Sequence, residues 1–273
     1  MKSITFLNEK GGVGKTTTCV TVGAGLAQRG ARVLIIDADA QGHIAAMFGM
    51  EQRPAFYDWL VRSGDWAEVV DDVPMGQWII PGEHPHDLRA CLRIIASNHE
   101  TRNVAGAIGE VFAVLRRLEE IRHEYDYVLI DTSPTPSLLH PLIYAATSHF
   151  VFVTLAESLS LSGLAATVAR VREFDIFREK YGLPPAQLVG IQPCRMRRVI
   201  EHEDNLVDAR HHFGHDAVLP PVRERIVWAE AARNGKSIFA FAPDTEAADE
   251  AWEVVDEVQL RTKRRTPAGE GTR

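Results

Sequence analysis

Residues Glu9-Lys10-Gly11-Gly12-Val13-Gly14-Lys15-Thr16-Thr17 follow directly on the apolar run Ile4-Thr5-Phe6-Leu7. The order reads as a strand ending near Asn8, a glycine-rich turn, and a helix beginning near Lys15. Gly11, Gly12 and Gly14 let the backbone curl until successive N–H groups point inward, and such a nest at a helix N-terminus binds an anion. The general pattern is G-x-x-x-x-G-K-[ST]. Gly14-Lys15-Thr16 keeps its second half, but Glu9 stands where the first glycine belongs, and a second lysine, Lys10, opens the loop. In phosphate chemistry Lys15 would set a point charge between the β- and γ-phosphates. The Thr16 hydroxyl would serve Mg²⁺, and Thr17 would reach the α-phosphate. A plain turn before a helix has no need of the Gly-Lys-Thr ending, whereas a solvated loop lysine would serve equally well at position 10.

Two further runs end in carboxylates. Val33-Leu34-Ile35-Ile36 is followed by Asp37-Ala38-Asp39-Ala40-Gln41-Gly42. In an extended chain, positions i and i+2 point to the same side, so Asp37 and Asp39 would leave the strand together. An Asp-rich turn at a strand end is the bland alternative. Tyr127-Val128-Leu129-Ile130 ends in Asp131-Thr132-Ser133-Pro134, the form of a Walker B strand whose Asp131 holds Mg²⁺ through water. Thr132 to Pro136 would then be a switch loop that senses the γ-phosphate.

Short apolar runs alternate with helical patterns along the chain. Strands are expected at 3–7, 33–36, 78–80, 127–130, 150–155 and 188–192. Helices are expected at 15–28, 104–123, 137–147, 161–180, 202–213 and 246–261. Buried strands alternating with amphipathic helices imply an α/β fold, a doubly wound, mostly parallel sheet with helices on both faces. Phosphate loops sit at the C-terminal ends of such strands. The 273 residues, 45% hydrophobic, suit one large domain over residues 1–261, followed by a polar, disordered tail at 262–273. A net charge of −7 gives no whole-protein basic signal, so any contact with nucleic acid must come from a local patch. Cys19, Cys91 and Cys194 lie far apart, which argues against a disulfide framework or a zinc site. No apolar run approaches a membrane span and no signal peptide precedes the first strand, so a cytoplasmic protein is expected.

Lys10-Gly11-Gly12-Val13-Gly14-Lys15-Thr16-Thr17 resembles the deviant Walker A motif of the ParA/MinD superfamily, a branch of the P-loop NTPases. Asp37-x-Asp39-x-Gln41-Gly42 resembles its ParA branch. The resemblance continues through Val189-Gly190-Ile191-Gln192-Pro193, Leu219-Pro220-Pro221-Val222-Arg223-Glu224-Arg225, Ala229-Glu230-Ala231 and Gly235-Lys236-Ser237-Ile238. It implies an ATPase that uses ATP and Mg²⁺ and forms an ATP-dependent homodimer. Lys10 would reach the phosphates bound by the other subunit, as an arginine finger does. Asp39 would position or activate the attacking water, Asp37 would support the loop and the Mg²⁺ shell, and Pro193 and Met196 would approach the adenine.

The same resemblance implies nonspecific DNA binding by the ATP-bound dimer, hence association with the nucleoid. The basic candidates are Arg195, Arg197, Arg198, Arg223, Arg225, Arg233 and Lys236, each of which could equally belong to a solvated face. It implies a ParB-like centromere-binding or cargo adaptor protein that stimulates hydrolysis, and a cargo that is a plasmid, a chromosome or a protein assembly. A MinD-like membrane regulator is the first alternative. The polar residues at 262–273 carry no large apolar side chain to bury in a bilayer, so no membrane partner is expected. A metabolic P-loop enzyme is the second alternative. Nitrogenase iron proteins and iron–sulfur carriers need cysteines that are absent near Asp131. A phosphate loop at residue 9 leaves no room for an N-terminal helix-turn-helix.

Overall fold

The computed structural model describes residues 1–135, 137–158, 172, 175, 176 and 178–263. Among them are the strands β1 (Lys2–Leu7), β2 (Arg32–Ala38), β3 (Asp71–Asp72), β4 (Cys91–Ile95), β5 (Tyr127–Thr132), β6 (His149–Leu155) and β7 (Gln187–Cys194). They form one sheet in the order β3-β4-β2-β5-β1-β6-β7. Each neighbouring pair is parallel except β3 with β4. β5 is buried along its whole length, which is why its apolar residues run on without polar alternation.

The crossovers fix where the helices go. From β1 to β2 the chain steps over β5 in one direction, and from β5 to β6 it steps over β1 in the other. Right-handed crossovers of opposite direction place their helices on opposite faces. α1 (Lys15–Gln28) therefore covers one face and the helix Leu139–Ala146 the other. The helix Glu246–Lys263 packs on α1, and Ala113–Glu120 packs on Leu139–Ala146.

Two glycines let α1 come close to its neighbours. A Cβ on Gly23 would stand 2.7 Å from Ile35 Cδ1 on β2, and one on Gly25 would stand 2.5 Å from Val255 Cγ2 on the helix Glu246–Lys263. Glycine inside a helix costs about 1 kcal/mol relative to alanine, and the contact across the bare backbone offsets that cost.

The structure departs from the sequence expectations in three places. Residues 78–80 form no strand. Three apolar residues between Pro74-Met75-Gly76 and Pro81-Gly82 are too few to run along a sheet. Trp78 is instead a buried plug whose Nε1 donates to the Val73 carbonyl at 3.1 Å, while its own carbonyl accepts from Gln28 Nε2 at 2.7 Å. The strand of that region is β4, which the sequence disguises by setting Arg93 in its middle. Arg93 is tolerated because β4 lies next to the sheet edge, where the guanidinium pairs with Asp72 of β3 at 2.6 Å. The helix expected over 104–123 breaks into Val104–Ala107 and Ala113–Glu120, because Gly106 near the end of the first piece and Gly109 in the junction weaken helix propagation. Most of the helix expected at 161–180 lies outside the described residues, as do residues 264–273 of the expected tail. The last helix continues two residues beyond 261, and buried Thr262 bonds back to the Val258 carbonyl at 2.7 Å.

Gly25→Val is expected to destabilise the fold by about 1–3 kcal/mol through overpacking against Val255, read as a lower denaturant midpoint. An unchanged midpoint would mean that the two helices are free to move apart.

Candidate active site

β1 delivers the chain to the phosphate loop, and Asn8 fixes the entry. Its Nδ2 donates to the Val153 carbonyl of β6 at 2.7 Å, and its Oδ1 accepts the Lys10 N–H at 2.8 Å. The sequence reading had given Asn8 no role beyond ending the strand. Gly12 and Gly14 adopt left-handed φ of 72° and 100°, which residues with a Cβ rarely accept. Gly14 precedes α1 without a side-chain cap, so the first N–H groups of the helix are available to an anion. Lys15 is buried, and its Nζ turns back to the Lys10 carbonyl at 3.3 Å. Burial pulls the Lys15 pKa down, opposed by the charges of Asp131 and Asp39. Val13 is buried in the core. Lys10 itself is exposed, and its side chain does not line the cavity of its own chain.

The carboxylates come together through strand register. On β2 and β5, Asp37 is the direct partner of Asp131, and Phe6 of β1 is the partner of Asp131 on the other side. Both carboxyls are buried. Burial is the largest cause that pushes both pKa values up, and for Asp37 the charge of Asp131 adds to it. Asp37 spends its oxygens on the loop that follows it: Oδ1 accepts the Asp39 N–H and Oδ2 the Ile44 N–H, both at 3.0 Å. Asp131 Oδ2 accepts from the Thr16 hydroxyl at 2.6 Å. Its Oδ1 is buried with no hydrogen-bond partner among the described residues.

An orphaned carboxylate oxygen, a hydroxyl beside it and a crowded pair of buried acids fit a divalent cation, which would supply the missing positive charge. Mg²⁺ typically takes one or two protein carboxylates and completes its shell with water and phosphate oxygens, so a cage of several acidic ligands is not required. Asp131 and Thr16 would hold the ion, and Asp37 would keep the adjoining loop in place. Asp39 lies at the cavity wall, braced by Gln41 N–H on its Oδ1 at 3.0 Å and by the Ser97 hydroxyl on its carbonyl at 2.5 Å.

A cavity of about 820 Å³ joins these groups. Its walls include Gly11, Gly12, Gly14 to Thr18, Asp39 and Gln41, with Ser133 to Thr135 from the loop after β5. Its far end is formed by Cys194, Arg195, Val222 to Arg225 and Trp228. The two ends differ in kind. Near Gly14 the wall is Cys194, whose Sγ would lie 3.3 Å from a Cβ at that glycine. Near Gly11 it is Pro134, whose Cγ would lie 3.9 Å from one there. A nucleoside suits the Cys194 end, where Val222 and Trp228 add apolar wall, and the phosphate chain then points toward Asp39 and Pro134.

Pro193 and Met196, expected at the base, do not line this cavity. Pro193 is held in β7 opposite Thr154. After Cys194 the backbone turns at Arg195 with φ 55°, which swings Met196 into the core and into a parallel bridge with Arg223. The turn thus exchanges Pro193 and Met196 for Cys194 and Arg195 as wall residues, and Val222 to Arg225 join them through the bridge.

The same bridge gathers the arginines expected on DNA. Arg195, Arg197, Arg198, Arg223 and Arg225 lie on two adjoining loops, whereas Arg233 and Lys236 lie at and beyond the end of the helix Ile226–Arg233. They are not a bare basic face. Arg195 pairs with Glu224 at 2.6 Å, Arg197 with Glu224 at 3.5 Å, Arg223 with Glu250 at 3.7 Å, and Arg225 with Glu246 at 2.7 Å and Glu250 at 2.8 Å. Glu201, Glu203 and Asp204, the acids next to Arg195 to Arg198 in the sequence, make none of these pairs.

A parallel sheet that feeds a glycine loop into a helix, with a carboxylate at the end of the adjacent strand bonded to the loop threonine, defines a P-loop NTPase. The profile of the AAA domain family matches residues 1–180. The chain belongs to that family, within the ParA/MinD superfamily of partition ATPases that carry a deviant Walker A motif, and it is an ATPase with ATP and Mg²⁺ as its cofactors. It is 31% identical to the chromosome partitioning protein ParA of Caulobacter vibrioides, over 88% of this chain and 87% of that protein. It is 28% identical to the sporulation initiation inhibitor protein Soj of Bacillus subtilis, over 94% and 98% of the two. Among solved structures, the McdA–ATP complex of Cyanothece shares the fold with a TM-score of 0.76 at 18% identity, over 98% and 99% of the chains. Among the described residues no helix is long and apolar enough to cross a membrane.

Asp131→Asn is expected to raise the melting temperature of the nucleotide-free protein by about 2–4 °C, because it removes one of two crowded buried acids at a gain of about 1 kcal/mol. It should also abolish the extra stabilisation that Mg²⁺ adds to ATP. Thermal melts with ATP alone and with ATP plus Mg²⁺ check both halves, and a variant that melts lower than wild type without ligand would contradict the reading.

Proposed function

We propose that the chain acts as a ParA-type ATPase whose active site is completed by a second copy of itself. The observation that carries this reading is Lys10. Its backbone is fixed on both sides of the Cα, the N–H by Asn8 Oδ1 and the carbonyl by Lys15 Nζ, while its side chain is exposed and stands outside the cavity of its own chain. A lysine so held is presented to a partner's phosphates. Two subunits then enclose two ATP–Mg²⁺, and each Lys10 adds positive charge where the transferred phosphoryl group develops it. Asp39, braced at the wall beside Lys15, orients the attacking water.

The ATP-bound dimer binds DNA without sequence preference, through phosphate contacts made by the loops of Arg195 to Arg198 and Arg223 to Arg225. The exposed ion pairs of Arg195 and Arg197 with Glu224 are individually worth about 0–1 kcal/mol, so a row of phosphates can take the place of that glutamate. Arg195, Arg223 and Arg225 also line the cavity, which gives nucleotide a direct route to that face. Hydrolysis, stimulated by a cargo-bound partner protein of the ParB-like or adaptor kind, returns the chain to a form with lower affinity for DNA. That difference in affinity is what permits a plasmid, a chromosome or a protein assembly to be positioned. The likeness to a chromosome partitioning protein over most of both chains supports this reading.

DNA retention is expected with ATP and not with ADP or without nucleotide, and it should fall steeply as salt rises. Equal retention in all three conditions would overturn the DNA-linked cycle. Lys10→Ala is expected to keep ATP binding within about threefold while lowering turnover by about 10³-fold, the scale of a finger residue acting from across an interface. Mixing it with a variant defective at Lys15 should restore part of the turnover, and a mixture no more active than its components would refute sharing of the site.

A further inference from the structure

The loop after Asp131 is held by a histidine to which the ATPase fold gives no role. His140 lies in the first turn of the helix Leu139–Ala146 and reaches back to both sides of the loop. The Ser137 N–H points at its Nδ1 at 3.2 Å, and its Nε2 lies 3.1 Å from the Ser133 carbonyl. The Ser137 Oγ also lies 3.2 Å from Nδ1 and can donate or accept there, so the Ser137 N–H and the Ser133 carbonyl settle the tautomer. An N–H aimed at Nδ1 requires a lone pair there, so the proton sits on Nε2 and Nε2–H donates to Ser133. Burial holds the His140 pKa below its ordinary value, which keeps the ring in that neutral form.

The ring is itself anchored to the sheet. It meets Tyr144 edge to face at 5.7 Å, and Tyr144 meets Phe150 in the same manner at 5.8 Å. Phe150 is the β6 partner of Thr5, and β1 runs from Thr5 into the phosphate loop. On its other side, the residues that His140 grips form the cavity wall at the terminal-phosphate end. Ser133, Pro134 and Thr135 line it together with Gly11, Gly12, Lys15 and Asp39, and Pro134 stands over Gly11.

We propose that His140 is a positioning residue that pins the loop Ser133–Thr135 to the sheet and so sets the wall against which the terminal phosphate is read. The assignment rests on nucleotide binding and hydrolysis alone and stands apart from the DNA-linked cycle. Its consequence is selective. An α- or β-phosphate lies along Gly14 to Thr17, away from the pinned loop, whereas a γ-phosphate lies at the Gly11 and Pro134 end. Loss of the pin therefore weakens triphosphate more than diphosphate and slows turnover.

The tautomer adds a second signature. A protonated ring would set Nδ1–H against the Ser137 N–H, donor against donor, and leave only the Ser137 hydroxyl to accept it, which weakens one end of the pin. The group whose charge lowers the His140 pKa is Lys15, and the one whose charge raises it is Asp39. Tyr144, packed on the ring, has its own pKa raised by burial and stays neutral. Since the folded pKa is depressed, the pinned form is fully present above the ordinary histidine value of about 6.5 and is lost as pH falls below it.

His140→Phe keeps the ring packing on Tyr144 and removes both hydrogen bonds. In the full chain it is expected to lower affinity for a non-hydrolysable ATP analogue by about tenfold, since each hydrogen bond contributes on the order of a few-fold to tenfold. ADP affinity should change by less than about twofold, and turnover should fall with the analogue affinity. His140→Gln, whose amide can still donate to Ser133, should recover part of the loss. It should also flatten the decline of wild-type analogue affinity as pH falls below the ordinary histidine value of about 6.5. Unchanged analogue-to-ADP selectivity in His140→Phe would overturn the proposal, whether both affinities hold or both fall together with the melting temperature. Intact DNA retention with a lost selectivity would leave the pin standing, and lost DNA retention with unchanged selectivity would not support it.

Discussion

The site depends on two acids that the sheet forces together. Parallel register sets Asp37 beside Asp131 at the ends of adjacent strands, inside the protein and away from water. Left alone, such a pair is unfavourable, because each charge is desolvated and each repels the other. The chain relieves it unevenly. Asp37 is surrounded by backbone amides and becomes a structural anchor, while Asp131 receives one hydroxyl and keeps an oxygen uncompensated. The second acid is thereby left wanting a cation. Stability given up at Asp131 in the empty protein is recovered when metal and nucleotide arrive, an economy that functional sites commonly show.

How much of this could be read from the residues follows from the range over which each signal acts. The phosphate loop, α1 and the strands that end at Asp37 and Asp131 are local patterns, and α1 begins and ends where its periodicity places it. Long apolar strands at the centre of the sheet are equally plain, because burial on both faces leaves no room for other residues. The edge is harder. β4 carries an arginine, and residues 78–80 look like a strand only until their backbone partners are known, which are the two ends of the Gln28 amide. Such pairing across about fifty positions of chain leaves no periodic trace.

Pro193 and Met196, which the family resemblance sets near the adenine, stand outside the cavity wall because the chain turns between them. Arg195 makes that turn with a left-handed backbone, a conformation uncommon for a residue other than glycine. Its guanidinium is held by Glu224 from a loop that bridges to Met196. The arginine face is balanced by Glu224, which the sequence already sets between Arg223 and Arg225, and by Glu157, Glu246 and Glu250, which only the fold brings near. The Cys194 end of the cavity and the arginine face thus share one turn and one set of ion pairs.

The bare backbone of Gly25 against Val255 has a further meaning for how the molecule comes apart. α1 carries Lys15 and Thr16 at one end and, at Gly25, takes the Val255 side chain of the helix Glu246–Lys263 directly against its backbone. Two helices so closely fitted open as one cooperative unit. Whatever the phosphate end of α1 gains from nucleotide is therefore shared with the helix whose first turns hold Glu246 and Glu250. Occupancy of the site is felt as rigidity in the helix Glu246–Lys263, which α1 packs against.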